Sequence, residues 1–275
     1  MSTLPENTYS LQVARTLHSI DASRWLNPGD RAFWLEWNHI YEQPRSCTSM
    51  LHWLEKVRWP ELIRPGSTVI DIGAHSGDTA MPMGLFSYDR ANARKGRVIA
   101  VEPNPDLRDL LNICLTLNSH VAEFSFCPYA ITASDVDVVE ISDHGNANCN
   151  GGISGGYSDE LTNRLKGSAQ VTYKTRGVSI PSLLRENCVT PSDVTFVKVD
   201  CEGYDKEIIR GAKDFFLAVK PALFIEWFGW FSPEDDDDMF RAIDEIGYAP
   251  FHPETLAPLD RGGERLSDIT CLPKK

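Results

Sequence analysis

From residue 68 onward, short apolar runs alternate with segments whose apolar residues return every three or four positions. The runs "TVIDI" (68–72), "RVIAVE" (97–102), "VAEFSFCPYAI" (121–131), "VTFVKVD" (194–200) and "ALFIEWF" (222–228) predict five strands. Their near-continuous apolar character is that of strands covered on both faces. Helices are predicted over 78–87, over 105–117 (Leu107, Leu110, Leu111, Cys114), over 204–216 (Ile208, Ile209, Ala212, Phe215) and over 233–245, the last stopped by Gly247. Two late strands follow near 248–252 and 268–272. Strictly alternating strands and helices imply an α/β fold with a mainly parallel sheet.

Before residue 60 the pattern is different. Phe33, Trp34, Trp37, Ile40 and Tyr41 share one helical face, and Met50, Trp53, Leu54 and Val57 repeat the spacing until Pro60. Two short aromatic-rich helices are therefore expected within an N-terminal extension, residues 1–60, ahead of a main domain, residues 61–275. The alternation is also interrupted at 142–170, where "HGNANCNGGISGG" is flanked by the strand-like "VDVVEIS" and "QVTYKTRGVS". Gly152, Ser154 and Gly156 formally spell G-x-S-x-G, but a nucleophile elbow needs a strand directly before it and a helix directly after it. The acid run "SPEDDDD" (232–238) reads as a solvated helix start, with Ser232 as N-cap and Pro233 at the first helical position.

Charge narrows the partners. A formal net charge of -12 without a basic cluster repels a phosphate backbone, so nucleic acid is not expected. Seven scattered cysteines without a C-x-x-C pair read as free thiols, and neither a signal peptide nor a membrane span is recognisable, so a cytoplasmic protein is expected.

The chemistry starts in "VIDIGAHSGD" (69–78), where a strand turns into a helix. In an open α/β sheet that bend, at the carboxyl end of the strand, is where ligands bind. Gly73 and Gly77 allow close backbone approach, with Ala74 and His75 between them, while Asp71 and Asp78 discourage a phosphate and favour a cationic ligand. A dinucleotide turn would show G-x-G-x-x-G instead. The next strand ends in "VEPNP", where Glu102 can accept both hydroxyls of a ribose beside Pro103 and Asn104. A positively charged nucleoside without phosphates fits both features, and S-adenosylmethionine is one. The third strand's end, Tyr129 and Ala130, is expected beside the adenine.

Together with "FVKVDCEGYDKEIIRGA" (196–212) and "PALFIEW" (221–227), these residues resemble the FkbM family of S-adenosylmethionine-dependent methyltransferases. The most specific element is K-x-D-x-E-G at Lys198, Asp200, Glu202 and Gly203. The resemblance implies a Rossmann-like class I methyltransferase sheet of order 3-2-1-4-5-7-6, here with an N-terminal helical extension. It also implies methyl transfer to a hydroxyl of a sugar, polyketide, lipid-linked glycan or similar small-molecule acceptor. Strand periodicity brings Asp200 and Glu202 to one strand end and Glu226 to the next, so these acids are the candidate general bases, with Asp200 also near the cofactor and Lys198 fixing an acid. Competing assignments are His75 or His144 as base and a divalent metal at Asp200 and Glu202, which is less favoured than a metal-free site. Tyr204 and Trp227 are expected to shape the acceptor pocket. The rival functions are an NAD-dependent oxidoreductase and a catalytically silent binding protein.

Overall fold

The computed structural model describes residues 8–13, 16–21, 53–143, 152–153, 171–227, 232–260, 263 and 266–275. Near the N-terminus β1 (Thr8–Val13) and β2 (Thr16–Asp21) pair antiparallel, so the extension is not wholly helical as the aromatic periodicity suggested. Phe33, Trp34, Trp37, Ile40, Tyr41 and Met50 lie outside the described residues. Residues 53–56 form one helical turn, which Arg58 breaks at φ 64. The next helix, α1 (Trp59–Leu62), carries Pro60 in its first turn, where a missing N–H costs nothing, so this proline starts a helix where it was expected to stop one. Leu54, Val57, Trp59 and Ile63 are buried in the same apolar cluster as Val69, Phe196 and Phe224. The Trp59 ring lies 4.9 Å from that of Phe196 and 5.0 Å from that of Phe224. Leu54, Val57 and Trp59, at the end of the expected extension, thus pack on the core of the main sheet.

The alternation then proceeds as β3 (Thr68–Ile72), α2 (Ala80–Ser87), β4 (Gly96–Val101), α3 (Arg108–Leu117) and β5 (Ala122–Cys127). An insertion follows: β6 (Ala130–Ile131), β7 (Val136–Asp143), β8 (Gly152–Ile153), β9 (Val171–Val178) and α4 (Ile180–Glu186). The main fold resumes with β10 (Val194–Val199), α5 (Asp205–Gly211), α6 (Lys213–Val219), β11 (Ala222–Glu226), α7 (Pro233–Glu245), β12 (Tyr248–Phe251) and β13 (Asp268–Pro273).

Seven strands form the main sheet in the order β5-β4-β3-β10-β11-β13-β12. Numbered by their own succession along the chain, they run 3-2-1-4-5-7-6, the order expected, with β13 antiparallel to both its neighbours. Alternate residues feed two cores. Ile70, Ile72, Val197, Val199 and Ile225 join one cluster, while Val69, Val98, Phe196 and Phe224 join the other. No helix among the described residues is long and apolar enough to cross a membrane.

Three departures have local causes. The expected third strand, 121–131, splits at Pro128, which has no N–H to give a ladder, and Ala130 and Ile131 move to a second sheet of order β6-β9-β7-β8. In that sheet the flanks of the glycine-rich stretch pair with each other, and Gly152 and Ile153 add to β7, while His144, Ser154 and Gly156 lie outside the described residues. The expected helix 204–216 breaks at Ala212, next to Gly211, whose missing Cβ would stand 2.3 Å from the Cα of Ala133.

Trp59→Ala removes the largest side chain of the second core and leaves a cavity against Phe196 and Phe224. The expected loss is ~3–5 kcal/mol, read as a lowered urea midpoint at unchanged slope.

Candidate active site

Lys198 is the last but one residue of β10 and only 5% of it is exposed. Its Nζ lies 3.0 Å from Asp200 Oδ2 and 3.4 Å from Asp71 Oδ1, and donates to the Gly73 carbonyl at 2.9 Å. One ammonium thus joins the end of β3 to the end of β10. Asp71 has no exposed surface; its Oδ2 accepts from the Thr79 hydroxyl at 2.7 Å. The Asp71 carboxylate, expected at the cofactor turn, is buried against Lys198 and Thr79 and bears on the turn through them.

The turn itself is built from backbone. Gly73 and Ala74 both donate to the Val101 carbonyl at 3.0 Å, and Gly77 donates to Ala74 at 2.7 Å. Gly73 has φ +78, and a Cβ there would stand 1.9 Å from the Asp200 carbonyl oxygen. Only glycine lets these two chain segments meet. His75, at φ 46, is a non-glycine residue in the left-handed region, and its N–H donates to Glu102 Oε2 at 2.9 Å. Glu102 Oε1 accepts from the Asn104 N–H at 2.8 Å, and Asn104 Oδ1 accepts from the Asp106 N–H at 2.9 Å. Glu102, Pro103 and Asn104 therefore stand directly against the turn. Ala74 is buried, whereas Gly73, His75 and Asp78 keep part of their surface.

Tyr129 and Ala130 are not brought to this cluster by their contacts. The Tyr129 hydroxyl donates to Glu186 at 3.2 Å and its ring lies under the Arg176 guanidinium at 4.3 Å, while Ala130 packs with Val139 and Ile141 in the second sheet. Trp227 likewise turns to α7, where its Nε1 donates to Asp236 at 2.7 Å and its ring packs on Phe240 at 4.8 Å. Tyr204 packs against the first core.

At the mouth, Asp200, Glu202 and Glu226 present carboxylate oxygens that all lie within 4.8 Å of one another. Asp200 extends the β10 ladder by donating its N–H to Ile72 at 3.1 Å, Glu202 sits at φ 52 in the following turn, and Glu226 ends β11. Asp205, a residue that the sequence showed only as one more acid at a helix start, holds that turn: its two oxygens accept from the N–H groups of Cys201 and Gly203, each at 3.1 Å, and it is fully buried. A carboxylate three residues after Glu202 is a signal that could have been read as an Asx-type clamp.

Burial and crowding set the charges. Burial followed by repulsion from Asp200 and Asp205 pushes Glu202 up to about 9, and burial with repulsion from Asp200 lifts Asp205 to about 7. Burial raises Glu226 well above the carboxylate range, and Asp200 adds to the rise. Burial also lifts Asp71 to about 6, against the pull of Lys198. Burial works on Asp200 in the same direction, but the Lys198 ammonium and a hydrogen bond from Glu226 outweigh it and hold Asp200 below its ordinary value. Burial and the neighbouring Asp200 thus make Glu226 hold its proton more tightly than Asp200 holds its own.

A seven-stranded open sheet of this order, with glycine turn and acids gathered at the carboxyl ends of its first, second, fourth and fifth strands, defines the class I methyltransferase fold. The sequence matches the Methyltransferase FkbM domain over residues 71–250, and the chain belongs to this methyltransferase family. No curated protein sequence matches the chain. Among solved structures, it is similar to the methyltransferase FkbM from Methylobacillus flagellatus KT at 15% identity and TM-score 0.45, over 89% of this chain and 58% of that one. It is also similar to the precorrin-6y C5,15-methyltransferase from Geobacter metallireducens GS-15 (12% identity, TM-score 0.40, 85% of this chain and 90% of that one). A third is TYW2 of P. horikoshii in complex with MeSAdo (13%, TM-score 0.38, 97% and 70%).

The raised carboxyls have a thermodynamic consequence. Asp71, Asp205, Glu202, Asp268 (lifted by burial to about 6) and Glu226 all bind protons more tightly folded than unfolded. Stability from such groups is full at low pH and is lost as pH rises toward their folded values, each by up to about 1.4 kcal/mol per pH unit. Lys198, raised well above its ordinary value by Asp200 and Asp71 despite burial, keeps its contribution constant over that range. The thermal midpoint is therefore expected to fall between pH 6 and pH 9, and Glu202→Gln is expected to flatten that fall; a midpoint that rises over this window contradicts the assignment.

Proposed function

We propose that the chain is an S-adenosylmethionine-dependent O-methyltransferase acting on a hydroxyl of a small molecule. The observation that carries this reading is the Asp200 carboxylate, held by Lys198 Nζ at 3.0 Å just past the end of β10, with Glu226 at the end of the neighbouring strand, both beside the glycine turn. The residues present fit such a nucleoside. Gly73 lets the turn close onto the Asp200 carbonyl, and Glu102 beside it holds its carboxylate in place with two backbone donors. Each of its oxygens keeps a lone pair with which to accept a ribose hydroxyl.

The sulfonium cofactor supplies an electrophilic methyl group when bound. The chain's own part is to orient and to take a proton. Gly73, His75 and Asn104 present backbone on one side, while Glu102 fixes the sugar end. The acceptor hydroxyl would lie against Asp200, whose carboxylate takes its proton as the new C–O bond forms. Glu226 hydrogen-bonds that carboxylate, and Lys198 keeps it ionised from behind, so the proton enters a coupled pair rather than one isolated acid. Glu202 lines the same opening, where the Asp200 carboxylate favours neutral or cationic acceptors over acidic ones. Small molecules such as sugars or hydroxylated polyketides suit that charge; the net charge of -12 argues against nucleic acid, and a cytoplasmic location is consistent with the sequence.

Calorimetric titration with S-adenosylhomocysteine, with NAD run in parallel, tests the reading. Binding of the first and not the second is expected, and Glu102→Gln, which keeps the shape but removes one acceptor, should weaken it by ~1–3 kcal/mol. Binding of NAD alone would return the oxidoreductase. Binding without turnover over a broad panel of hydroxylated acceptors would favour a silent scaffold.

A further inference from the structure

We propose that the imidazole of His75 sets the charge of the cofactor site, so that a cationic nucleoside and its neutral counterpart are told apart by the protonation of this one side chain. That role rests on the functional reading above and adds a charge selector to it. His75 stands between Gly73 and Gly77 in the turn that follows β3, and its N–H is given to Glu102 Oε2, the carboxylate assigned to the ribose. Burial raises Glu102 and Glu202 and pushes Asp200 the same way, and the imidazole works against burial at all three. It therefore bears on the ribose end of the site from one side and on the proton-accepting end from the other. A ligand whose ribose is held at Glu102 and whose reacting carbon meets Asp200 must span the interval between them.

The backbone gives an independent reason to look for a use of this side chain. His75 has φ 46, a left-handed conformation that glycine adopts without strain and asparagine more easily than most residues. A turn that needed only its shape would be as well served by either. A residue with a larger side chain, kept at a strained position beside a ligand edge, points to function.

The chemistry is a competition for the same negative charge. Lys198, the ammonium of this cluster, is already engaged by Asp71, Asp200 and the Gly73 carbonyl. The remaining charged neighbours are all acids: Asp78 acts on Asp71 and Lys198, Asp205 acts on Glu202, and Glu226 hydrogen-bonds Asp200. The charge left at Glu102 and Asp200 can be met by an imidazolium or by a sulfonium, and two cations side by side repel. A neutral imidazole therefore admits the cationic cofactor. A protonated one disfavours that cofactor and spares the thioether left after methyl transfer, which has no charge at sulfur. An imidazole ordinarily changes charge between about pH 5 and 8, so the discrimination changes over that range. By linkage, a cation that weakens the imidazole's hold on its proton is itself bound more weakly, by the same factor, when the imidazole is protonated.

The test compares two nucleosides on the full chain: S-adenosylhomocysteine, neutral at sulfur, and sinefungin, which carries an ammonium where the cofactor has its sulfonium. The imidazole nitrogens of the seven histidines are followed by nuclear magnetic resonance from about pH 5.5 to 8, free and in both complexes. The signal missing from His75→Asn assigns the residue, since asparagine tolerates the left-handed backbone and keeps the N–H to Glu102. Sinefungin is expected to lower the His75 midpoint by about 0.5–1 pH unit relative to S-adenosylhomocysteine, which is about three- to tenfold in its affinity for the two protonation states. The ratio of the two dissociation constants should follow pH by that factor beyond what remains in His75→Asn, where carboxyls such as Asp71 and Asp205 still titrate. Equal His75 midpoints in the two complexes, or a ratio that follows pH identically in His75→Asn, overturns the role. Should His75→Asn fail to fold, His75→Gly takes its place, and the unmodified chain also decides alone: if none of its imidazole midpoints falls with sinefungin, the role is overturned. Absence of binding by both nucleosides at about pH 8 would sink the functional reading itself, whereas binding of both with equal midpoints sinks only the role of His75.

Discussion

A single buried ammonium holds the site together. Taking a lysine out of water costs several kcal/mol unless it is surrounded by compensating charge and dipole, and Lys198 meets that demand with Asp71, Asp200 and the Gly73 carbonyl. Those three partners lie on the ends of two adjacent strands. The lysine therefore cannot be satisfied unless β3 and β10 end in register and the Gly73 turn folds back over Asp200. The 1.9 Å that a Cβ would have at Gly73 is the steric face of the same constraint. Charge, register and glycine geometry are one requirement seen three ways.

Most of the strands were legible because parallel strands buried on both faces leave a near-continuous apolar signal, whereas their order, 3-2-1-4-5-7-6, came from the family resemblance alone. What was not legible has a common cause: local pattern does not carry the partner of a segment. Nothing in "FCPYAI" says that Ala130 and Ile131 leave one sheet for another, although Pro128 marks where they can. The glycine-rich stretch looked like an interruption, yet its flanks pair as β7 and β9 across the insertion. Likewise the aromatic residues before Pro60 signalled helix, and the structure spends Leu54, Val57 and Trp59 on the main core rather than on a separate unit.

The same limit shows in side chains. The acid run before and in α7 was read as a solvated helix start, and Ser232 does accept from the Asp235 N–H at 3.1 Å. Yet Asp235 also receives Lys206 at 3.0 Å, and Asp238 receives Arg210 at 2.6 Å. These pairs tie α7 to α5, the helix that follows the Glu202 turn, and Asp236 adds the Trp227 indole just past the end of β11. Acids that appear redundant in sequence thus brace both strand ends that carry Asp200 and Glu226. Asp71 illustrates the converse, since a sequence places it at the ligand end of a strand but cannot say that it is wholly buried beneath the turn.

The acids of the mouth are held in an arrangement that a folding chain would avoid if stability alone were selected. Asp205 clamps the turn from inside and thereby fixes Glu202, at a left-handed φ, beside two other carboxyls. Asp200 adds to burial in raising Glu202 and Glu226, so those two carboxyls hold their protons more tightly than free ones do. A surface patch of three acids would relax apart into water. Here Asp200 cannot move without breaking with Lys198, Glu202 cannot move without releasing Asp205, and Glu226 is fixed by the β11 ladder against β13. The crowding is therefore imposed by the scaffold rather than chosen by the acids. Groups forced together in this way are poised to exchange a proton as soon as a ligand changes the local charge.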